Sequence, residues 1–340
     1  MLSLSLSRLS PPHLALARLR RDLWRRGRDG ISRLGAGRLL MPWDGPAESG
    51  WLDVAEFGSN PGRLAMRVFR PATAMLPGAP LVMVLHGCGQ GAGEFATSGG
   101  WIEAATRHGW VLLLPEQTFT NNHARCFSWY NHGDTHRGRG EVLSLRQMVQ
   151  VALRRFRCDR TRVFVAGLSA GGAMAAALLA AYPETFAAGA VVAGLPVGCA
   201  SNAGEAFLRM HDAGPARMTP AAWAMLVTDH RGHKGRWPRL SIWHGEADRV
   251  VDPGNGENLV RQWTALHGLD LAAAAENEVS PGVTRRAWGD GAAPMVEAWS
   301  IAGLDHGFPV GEAMARRRPA SPWVLGAEID ATEAIARFWR

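Results

Sequence analysis

The feature that most constrains the fold of this chain is a serine between glycines, at the point where an apolar segment meets an alanine-rich one. The motif Gly-Leu-Ser-Ala-Gly occupies residues 167–171. Residues 162–166 (RVFVA) have the short apolar run of a strand, and the following AMAAALLAAY is a strong helix former. A serine on such a strand-to-helix turn exposes its hydroxyl at the carboxyl edge of a sheet, and glycines let the neighbouring backbones approach closely. The motif therefore predicts a nucleophile elbow with Ser169 as the nucleophile.

Short apolar runs alternate with helical stretches along the rest of the chain. We predict strands at 63–70, 81–85, 110–114, 162–166, 186–193, 240–243 and 295–301, and helices around 95–108, 142–156, 257–266 and 331–339. This alternation is typical of a mostly parallel sheet with helices on both faces, and with the elbow it predicts the α/β-hydrolase fold. We expect 45–340 to be a single catalytic domain. Residues 200–238 break the rhythm, so we expect an insertion there, with one helix around 221–227.

A serine hydroxyl is a weak nucleophile, so it needs a base, and the base needs an orienting acid. In this fold the acid and then the base follow the serine in the chain, each on a loop after a strand. Asp248 follows one predicted strand, and His306, the last histidine, follows the final predicted strand. We expect Asp248 to be the acid and His306 to be the base, because histidine is the side chain suited to proton transfer near neutral pH. Glu246 and Asp252 are rivals for the acid, although Asp252 precedes a proline and fits a turn or cap better.

A developing oxyanion needs backbone N–H groups from two loops. One is expected from Ala170, at the start of the helix after Ser169. The facing loop reads His-Gly-Cys-Gly-Gln at 86–90, and the Cys88 amide is the second candidate. His86 lies outside the required order of the triad, so we expect it to brace this loop.

The cysteines, Cys88, Cys126, Cys158 and Cys199, show no CxxC spacing, which argues against a zinc ribbon or a thioredoxin motif. Reduced and mostly buried thiols are the ordinary expectation. A Cys88–Cys126 disulfide is the alternative if the protein meets an oxidising compartment.

A cluster within 123–136 has the residue types of a metal site: it contains His123, Cys126, His132 and His136. The surrounding NNHARCFSWYNHGDTHRGRG does not read as a helix, and no second ligand pair accompanies it. We expect no metal here, and instead a substrate-facing loop whose aromatic contact surface is formed by Phe127, Trp129 and Tyr130.

The formal net charge of +7 resides in the first 40 residues, which hold nine arginines and two acids. The remaining residues are neutral overall, so the charge does not indicate nucleic-acid binding. We expect 1–44 to be a basic, flexible tail, with contact to a polymer or granule surface as the alternative. This segment is a poor signal peptide, and no run approaches the roughly 18 apolar residues of a membrane span. We expect a cytoplasmic location, with secretion as the alternative.

The chain resembles the esterases of the polyhydroxybutyrate depolymerase family, which are related to feruloyl and acetylxylan esterases. The matching stretches are LHGCGQ (85–90), GWVLLLPEQ (109–117), RCFSWY (125–130), RVFVAGLSAGGAM (162–174), YPETFAAGAVVAGLP (182–196), HGEADRVVDP (244–253) and GLDHGFPVG (303–311). The resemblance implies an α/β-hydrolase fold with no metal or organic cofactor. It also implies Ser169, Asp248 and His306 as the triad, with the Cys88 and Ala170 amides at the oxyanion hole.

For the substrate, the resemblance implies a short-chain hydroxyalkanoate polyester or its oligomers. A feruloyl or acetyl ester of plant polysaccharide is the alternative, and a non-catalytic polymer-binding protein is the rival from another class. Two departures from the family pattern bear on this choice. Phe-Ser-Trp-Tyr (127–130) replaces a Trp-Asn-Trp run, and Gly307-Phe308 replaces Ala-Trp. Both would border the substrate, so Trp129, Tyr130 and Phe308 are the candidate substrate contacts.

Overall fold

A computed structural model describes residues 49–214, 218–228, 233, 235–318 and 320–340. The expected tail at 1–44 lies outside these residues. The described strands are β1 (Gly50–Val54), β2 (Ala65–Arg70), β3 (Leu81–Leu85), β4 (Val111–Glu116), β5 (Val163–Leu168), β6 (Ala188–Val192), β7 (Arg239–Gly245), β8 (Ala275–Ser280), β9 (Val283–Asp290), β10 (Ala293–Ile301), β11 (Phe308–Gly311) and β12 (Val324–Ala327).

Helices fill the connections between the strands. They are α1 (Ala92–Ser98), α2 (Trp101–His108), α3 (His132–Thr135), α4 (Gly140–Arg155), α5 (Ala170–Ala181), α6 (Ala203–His211), α7 (Pro220–Thr228), α8 (Gly254–Leu266), α9 (Glu312–Ala315) and α10 (Ala331–Phe338). In the described residues none of them is long and apolar enough to cross a membrane.

The main sheet has the strand order β1-β2-β4-β3-β5-β6-β7-β10-β9-β8, and β11 pairs with β12 in a small separate sheet. Strands β4, β3, β5, β6, β7 and β10 run parallel, whereas the outer strands join antiparallel. Parallel strands covered on both faces are apolar throughout, and β3, β5 and β6 are buried at every residue. The carboxyl ends of the parallel strands meet at one edge, where ligands bind in such sheets. The expected α/β-hydrolase fold is confirmed.

The core lies in two layers, one on each face of the sheet. Helix α5 is buried at all its residues because it packs behind the centre of the sheet. Its alanine-rich sequence has no polar face, as expected of a helix surrounded by protein.

Strands β1, β8, β9, β11 and β12 and the short helices α3 and α9 were not predicted, and two of the predicted helical regions differ from the structure. The helix predicted around 95–108 is two helices, α1 and α2, because Gly99 and Gly100 separate them and Gly100 has a φ of 82°. The segment 200–238, where an insertion with one helix was predicted, contains both α6 and α7 among its described residues. The short amphipathic run of α6 lies in a stretch whose Gly, Pro and charged residues obscured it.

Candidate active site

Ser169 lies on the turn between β5 and α5 in a conformation that few non-glycine residues adopt. Its φ is 56° and its ψ −120°. Such strain costs of order 1–3 kcal/mol and persists only where the surrounding structure holds it. A Cβ on Gly167 would lie 2.2 Å from the Gly171 carbonyl oxygen, and a Cβ on Gly171 would lie 2.4 Å from that of Leu85. Only glycine fits at these two positions, so the motif is required by the turn itself.

A chain of hydrogen bonds joins the three predicted triad residues. His306 Nε2 lies 3.0 Å from Ser169 Oγ, and His306 Nδ1 lies 2.8 Å from Asp248 Oδ2. A carboxylate only accepts, so the imidazole donates from Nδ1 and its Nε2 is free to accept the serine proton. All three residues are less than 9% exposed. The arrangement can move a proton from the hydroxyl to a base whose orientation is fixed.

The Asp248 carboxylate is held by further donors. Its Oδ1 accepts from the backbone amides of Val250 and Val251, at 2.9 and 2.8 Å. Its Oδ2 also lies 3.1 Å from His244 Nε2. Burial by itself would raise the pKa of Asp248, but the hydrogen bonds from His244 and His306 outweigh it and hold that pKa well below its usual range. The carboxylate therefore stays ionised beside His306.

Neither of the two rivals for the acid, Glu246 and Asp252, is the carboxylate that binds His306 Nδ1. Asp252 accepts from the Gly254 amide at 2.8 Å, the turn contact expected of it, and from the distant Ala213 amide at 3.1 Å. Glu246 is exposed on the same loop.

A salt bridge joins the loop of Asp248 to the loop of His306. The Asp305 carboxylate accepts from the backbone amides of Arg249 and His306, at 3.0 and 2.8 Å, and from the Arg249 guanidinium. Hydrogen bonds from Arg249 lower the pKa of Asp305 to about 2. The two loops are thus linked next to the imidazole.

The loop at 86–90 is held by a disulfide and by hydrogen bonds to two other loops. Cys88 forms a disulfide with Cys126, and the Gly89 amide donates to the Ala124 carbonyl at 2.8 Å. The Gln90 side chain accepts from the Gly87 amide and donates to the Pro322 carbonyl. In the described part of the chain, neither the Cys88 amide nor the Ala170 amide has a protein acceptor. Both donors are therefore available to a ligand.

Two of the four cysteines form the disulfide that the sequence analysis gave as the alternative. Cys88 and Cys126 are paired, so the expectation of four reduced thiols is wrong for these two. Their backbones converge because the oxyanion loop and the loop around 126 pack together, which the 38-residue separation does not reveal. Cys158 and Cys199 are free, and burial raises the pKa of each thiol to about 12.

His86 has the bracing position expected of it. Its Nε2 accepts from the Gln117 amide at 3.1 Å, so Nδ1 is the donor to the Gly87 carbonyl. Burial lowers the pKa of His86 to about 4, and the ring packs against Phe127. A neutral, fully buried imidazole thus supports the loop at 86–90.

Glu141 connects this loop to the aromatic segment after Cys126. Its carboxylate accepts from the Gln117 side chain at 2.6 Å and from the Ser128 amide at 2.9 Å. Burial raises the pKa of Glu141 to about 7, and nothing in the sequence marked this residue.

The aromatic candidates divide into two groups. Trp129 and Tyr130 are half-buried, and Trp129 packs against a small buried cluster formed by Ala173, Leu195 and Val251. Phe308 is fully buried against Phe95 and Trp101, so its prediction as a substrate contact is wrong. Phe308 begins β11 and points into the core, a consequence of the pairing with β12 that no local pattern shows.

Phe127 is also fully buried, so the predicted aromatic surface is reduced to Trp129 and Tyr130. Trp323 is a residue that sequence reasoning missed. Its half-buried ring lies edge-on to His306, with centroids 5.4 Å apart. Only its position in three dimensions reveals it, because it lies in an irregular segment before β12.

The histidine-rich stretch at 123–136 does not bring metal-ligating side chains together. Cys126 is in the disulfide, and the rings of His132 and His136 pack on each other. Among the described residues, no group of three or more His, Cys, Asp or Glu side chains is arranged to hold a metal ion.

A serine, an imidazole and a carboxylate joined in this order at the edge of such a sheet define a serine hydrolase. Comparison with known proteins narrows the class. Residues 64–286 match the family described as Esterase PHB depolymerase, and the chain belongs to that family.

Curated relatives carry related names. Poly(3-hydroxyalkanoate) depolymerase C of Paucimonas lemoignei is 36% identical over 289 residues, which cover 84% of this chain and 69% of the relative. Feruloyl esterase B of Talaromyces stipitatus is 32% identical over 280 residues, covering 80% of this chain and 76% of the relative. The chain is therefore a carboxylic ester hydrolase.

A solved structure supports the fold. The acetyl xylan esterase from Aspergillus awamori superimposes with a TM-score of 0.69 at 23% identity, over 76% of this chain and 94% of that one.

Proposed function

We propose that this protein hydrolyses carboxylic esters through an acyl-enzyme formed on Ser169. His306 takes the serine proton as the hydroxyl attacks the ester carbonyl, and Asp248 holds the imidazole. His306 then gives that proton to the leaving alcohol, and water, activated by the same base, releases the acid. The observation that carries the proposal is the continuous hydrogen-bonded chain from Ser169 Oγ through His306 to Asp248.

The Cys88 and Ala170 amides are the proposed oxyanion donors. Both lack a protein acceptor in the described residues, and both adjoin Ser169 or the loop that faces it. Loss of one such donor costs about 100- to 1000-fold in turnover in well-studied hydrolases.

The proposed substrate is a short-chain polyhydroxyalkanoate, as polymer or oligomer. The name of the Paucimonas lemoignei relative supports this choice. Trp129, Tyr130 and Trp323 are the proposed contacts for the acyl or alcohol part, because they are half-buried and the Trp323 ring lies against His306. We extend the proposal to the arginine-rich segment at 1–44 as a contact to the polymer surface.

A feruloyl or acetylxylan ester is the second candidate, supported by the 32% identity to feruloyl esterase B. A panel of tributyrin, hydroxybutyrate oligomers, methyl ferulate and acetylated xylan separates the two. For the wild type we expect the highest kcat/KM on hydroxybutyrate oligomers. Ser169→Ala should have no activity on any of these esters. Activity surviving in Ser169→Ala would overturn the mechanism, and preference for methyl ferulate would overturn the substrate.

A further inference from the structure

A second histidine lies on the far side of the triad carboxylate. His244 is at the end of β7, opposite Ser300 of β10, and is 7% exposed. Its Nε2 lies 2.9 Å from the Val251 carbonyl oxygen and 3.1 Å from Asp248 Oδ2. Both neighbours are acceptors, so Nε2 must carry a proton.

The other nitrogen of His244 has no partner. Nδ1 is buried and makes no hydrogen bond, and a Cβ on Gly256 would lie 3.1 Å from it. The ring borders a cavity of about 250 Å³ between β7, β10 and the first turns of α8. The other charged groups at this cavity are Glu246, Glu257 and Arg286, of which the last two form a salt bridge. None of them bonds to His244.

Asp248 is thereby saturated with donors. Two amides bind Oδ1, His306 donates to Oδ2, and the His244 Nε2–H, which also reaches the Val251 carbonyl, lies 3.1 Å from the same Oδ2. A carboxylate has about four lone-pair sites, so His244 completes the set. Without it, Oδ2 would have His306 as its one remaining donor, and the Val251 carbonyl would lose its partner.

We propose that His244 is a positioning residue for ester hydrolysis, a neutral imidazole whose Nε2 proton fixes Asp248 against His306. This inference rests on the proposed function of the triad. Its electrostatic reason is that His306 becomes an imidazolium during attack. A second imidazolium on the same carboxylate would oppose that charge, so His244 must donate without being charged itself.

The experiment compares His244→Leu, which removes the donor, with His244→Gln, whose amide N–H restores one at similar reach. Val260→Ala is the matched control, because Val260 is buried, lines the same cavity and has no polar group that could donate to Asp248. We expect His244→Leu to lower kcat about 10- to 100-fold, the size of one lost hydrogen bond to a charged group, with KM unchanged. We also expect the acid limb of kcat/KM to move to higher pH, because the Asp248 charge then acts on His306 alone.

His244→Gln should restore both kcat and the acid limb toward wild type, and Val260→Ala should leave the acid limb where it is. A wild-type acid limb in His244→Leu would overturn the positioning role, and so would a His244→Gln enzyme as impaired as His244→Leu. Ser169→Ala in the same assay distinguishes failure of the His244 proposal from failure of the proposed function. Activity in Ser169→Ala would contradict the triad mechanism itself.

Should His244→Leu fail to fold, long-range proton–nitrogen NMR of the wild-type protein decides the question. The His244 resonances, assigned by their loss in His244→Gln, must show a neutral ring protonated at Nε2. A ring protonated at Nδ1, or at both nitrogens at neutral pH, would refute the proposal.

Discussion

The two sides of the active site are held together by different physics. We call the loops at 86–90 and 122–128 the oxyanion wall, and the loops at 244–252 and 305–306 the triad wall. The oxyanion wall is fixed by the Cys88–Cys126 disulfide, by hydrogen bonds around the neutral His86, and by an ion pair between Arg125 and Glu116. The triad wall has no covalent link and depends on charged groups, above all Asp248 and Asp305. A backbone donor must be positioned before the reaction, whereas a base must respond to charge as it forms.

The largest expected effect comes from neutralising the triad wall. Asp248→Asn should lower kcat by about 10⁴-fold with little change in KM, because an amide favours the wrong tautomer of His306. Steady-state kinetics with a thermal melt checks this. Asp252→Asn is the control, since the Asp252 carboxylate accepts from the amides of Gly254 and Ala213 and not from His306. A larger loss of kcat in that variant would assign the acid role to Asp252.

Breaking the oxyanion wall should act mainly on stability. Replacing Cys88 and Cys126 together by alanine opens a loop with a separation of 38 residues. We expect the free energy of unfolding to fall by about 3–4 kcal/mol, measured by urea denaturation. Reducing agent should destabilise the wild type and leave the double variant unaffected. Equal sensitivity of both proteins to reductant would show that the disulfide does not carry the effect.

The pH dependence of stability tests a second feature of the oxyanion wall, the buried Glu141 that binds the Ser128 amide. The folded-state pKa of Glu141, about 7, lies above its ordinary value of 4.5. The folded protein therefore binds a proton that the unfolded chain releases, and stability is lost as pH rises through this window. We expect a decrease of about 1–3 kcal/mol between pH 4.5 and 7, which Glu141→Gln abolishes. Denaturation at several pH values measures both slopes, and parallel slopes would contradict the assignment to Glu141.

The smallest effect is expected at the rim of the triad wall. Arg249→Gln removes the ion pair with Asp305 but leaves the backbone amides that bind the same carboxylate. The Arg249 side chain is 84% exposed, so water and salt screen the pair. We expect a slight decrease in kcat that high salt reproduces in the wild type. A loss comparable to that of Asp248→Asn would mean that the pair itself orients His306.

Strand ends could be read from the sequence, and they bring the predicted triad together. Ser169, Asp248 and His306 each follow an apolar run, and parallel strands end at a common edge. Residues whose surroundings depend on distant pairing could not be placed this way. Phe308 is buried because its amide bonds to the Trp323 carbonyl, 15 residues further along an irregular segment. Trp323 and Glu141 were missed for the same reason, because each is defined by partners from other loops. The Cys88–Cys126 pair was named as an alternative, but its formation could not be decided from the sequence.

The separation of the contacts along the chain has a consequence for how this protein can be studied as it refolds. His306 bonds to Ser169 across 137 positions, and Gln90 bonds to Pro322 across 232. Helices and the disulfide loop can form from segments close in sequence, but ester turnover requires the ends of β3, β5, β7 and β10 to be correctly placed at once. The regain of esterase activity therefore reports when the whole sheet edge around Ser169 has formed. Its delay behind the recovery of the helical circular dichroism signal measures how late in refolding that edge assembles.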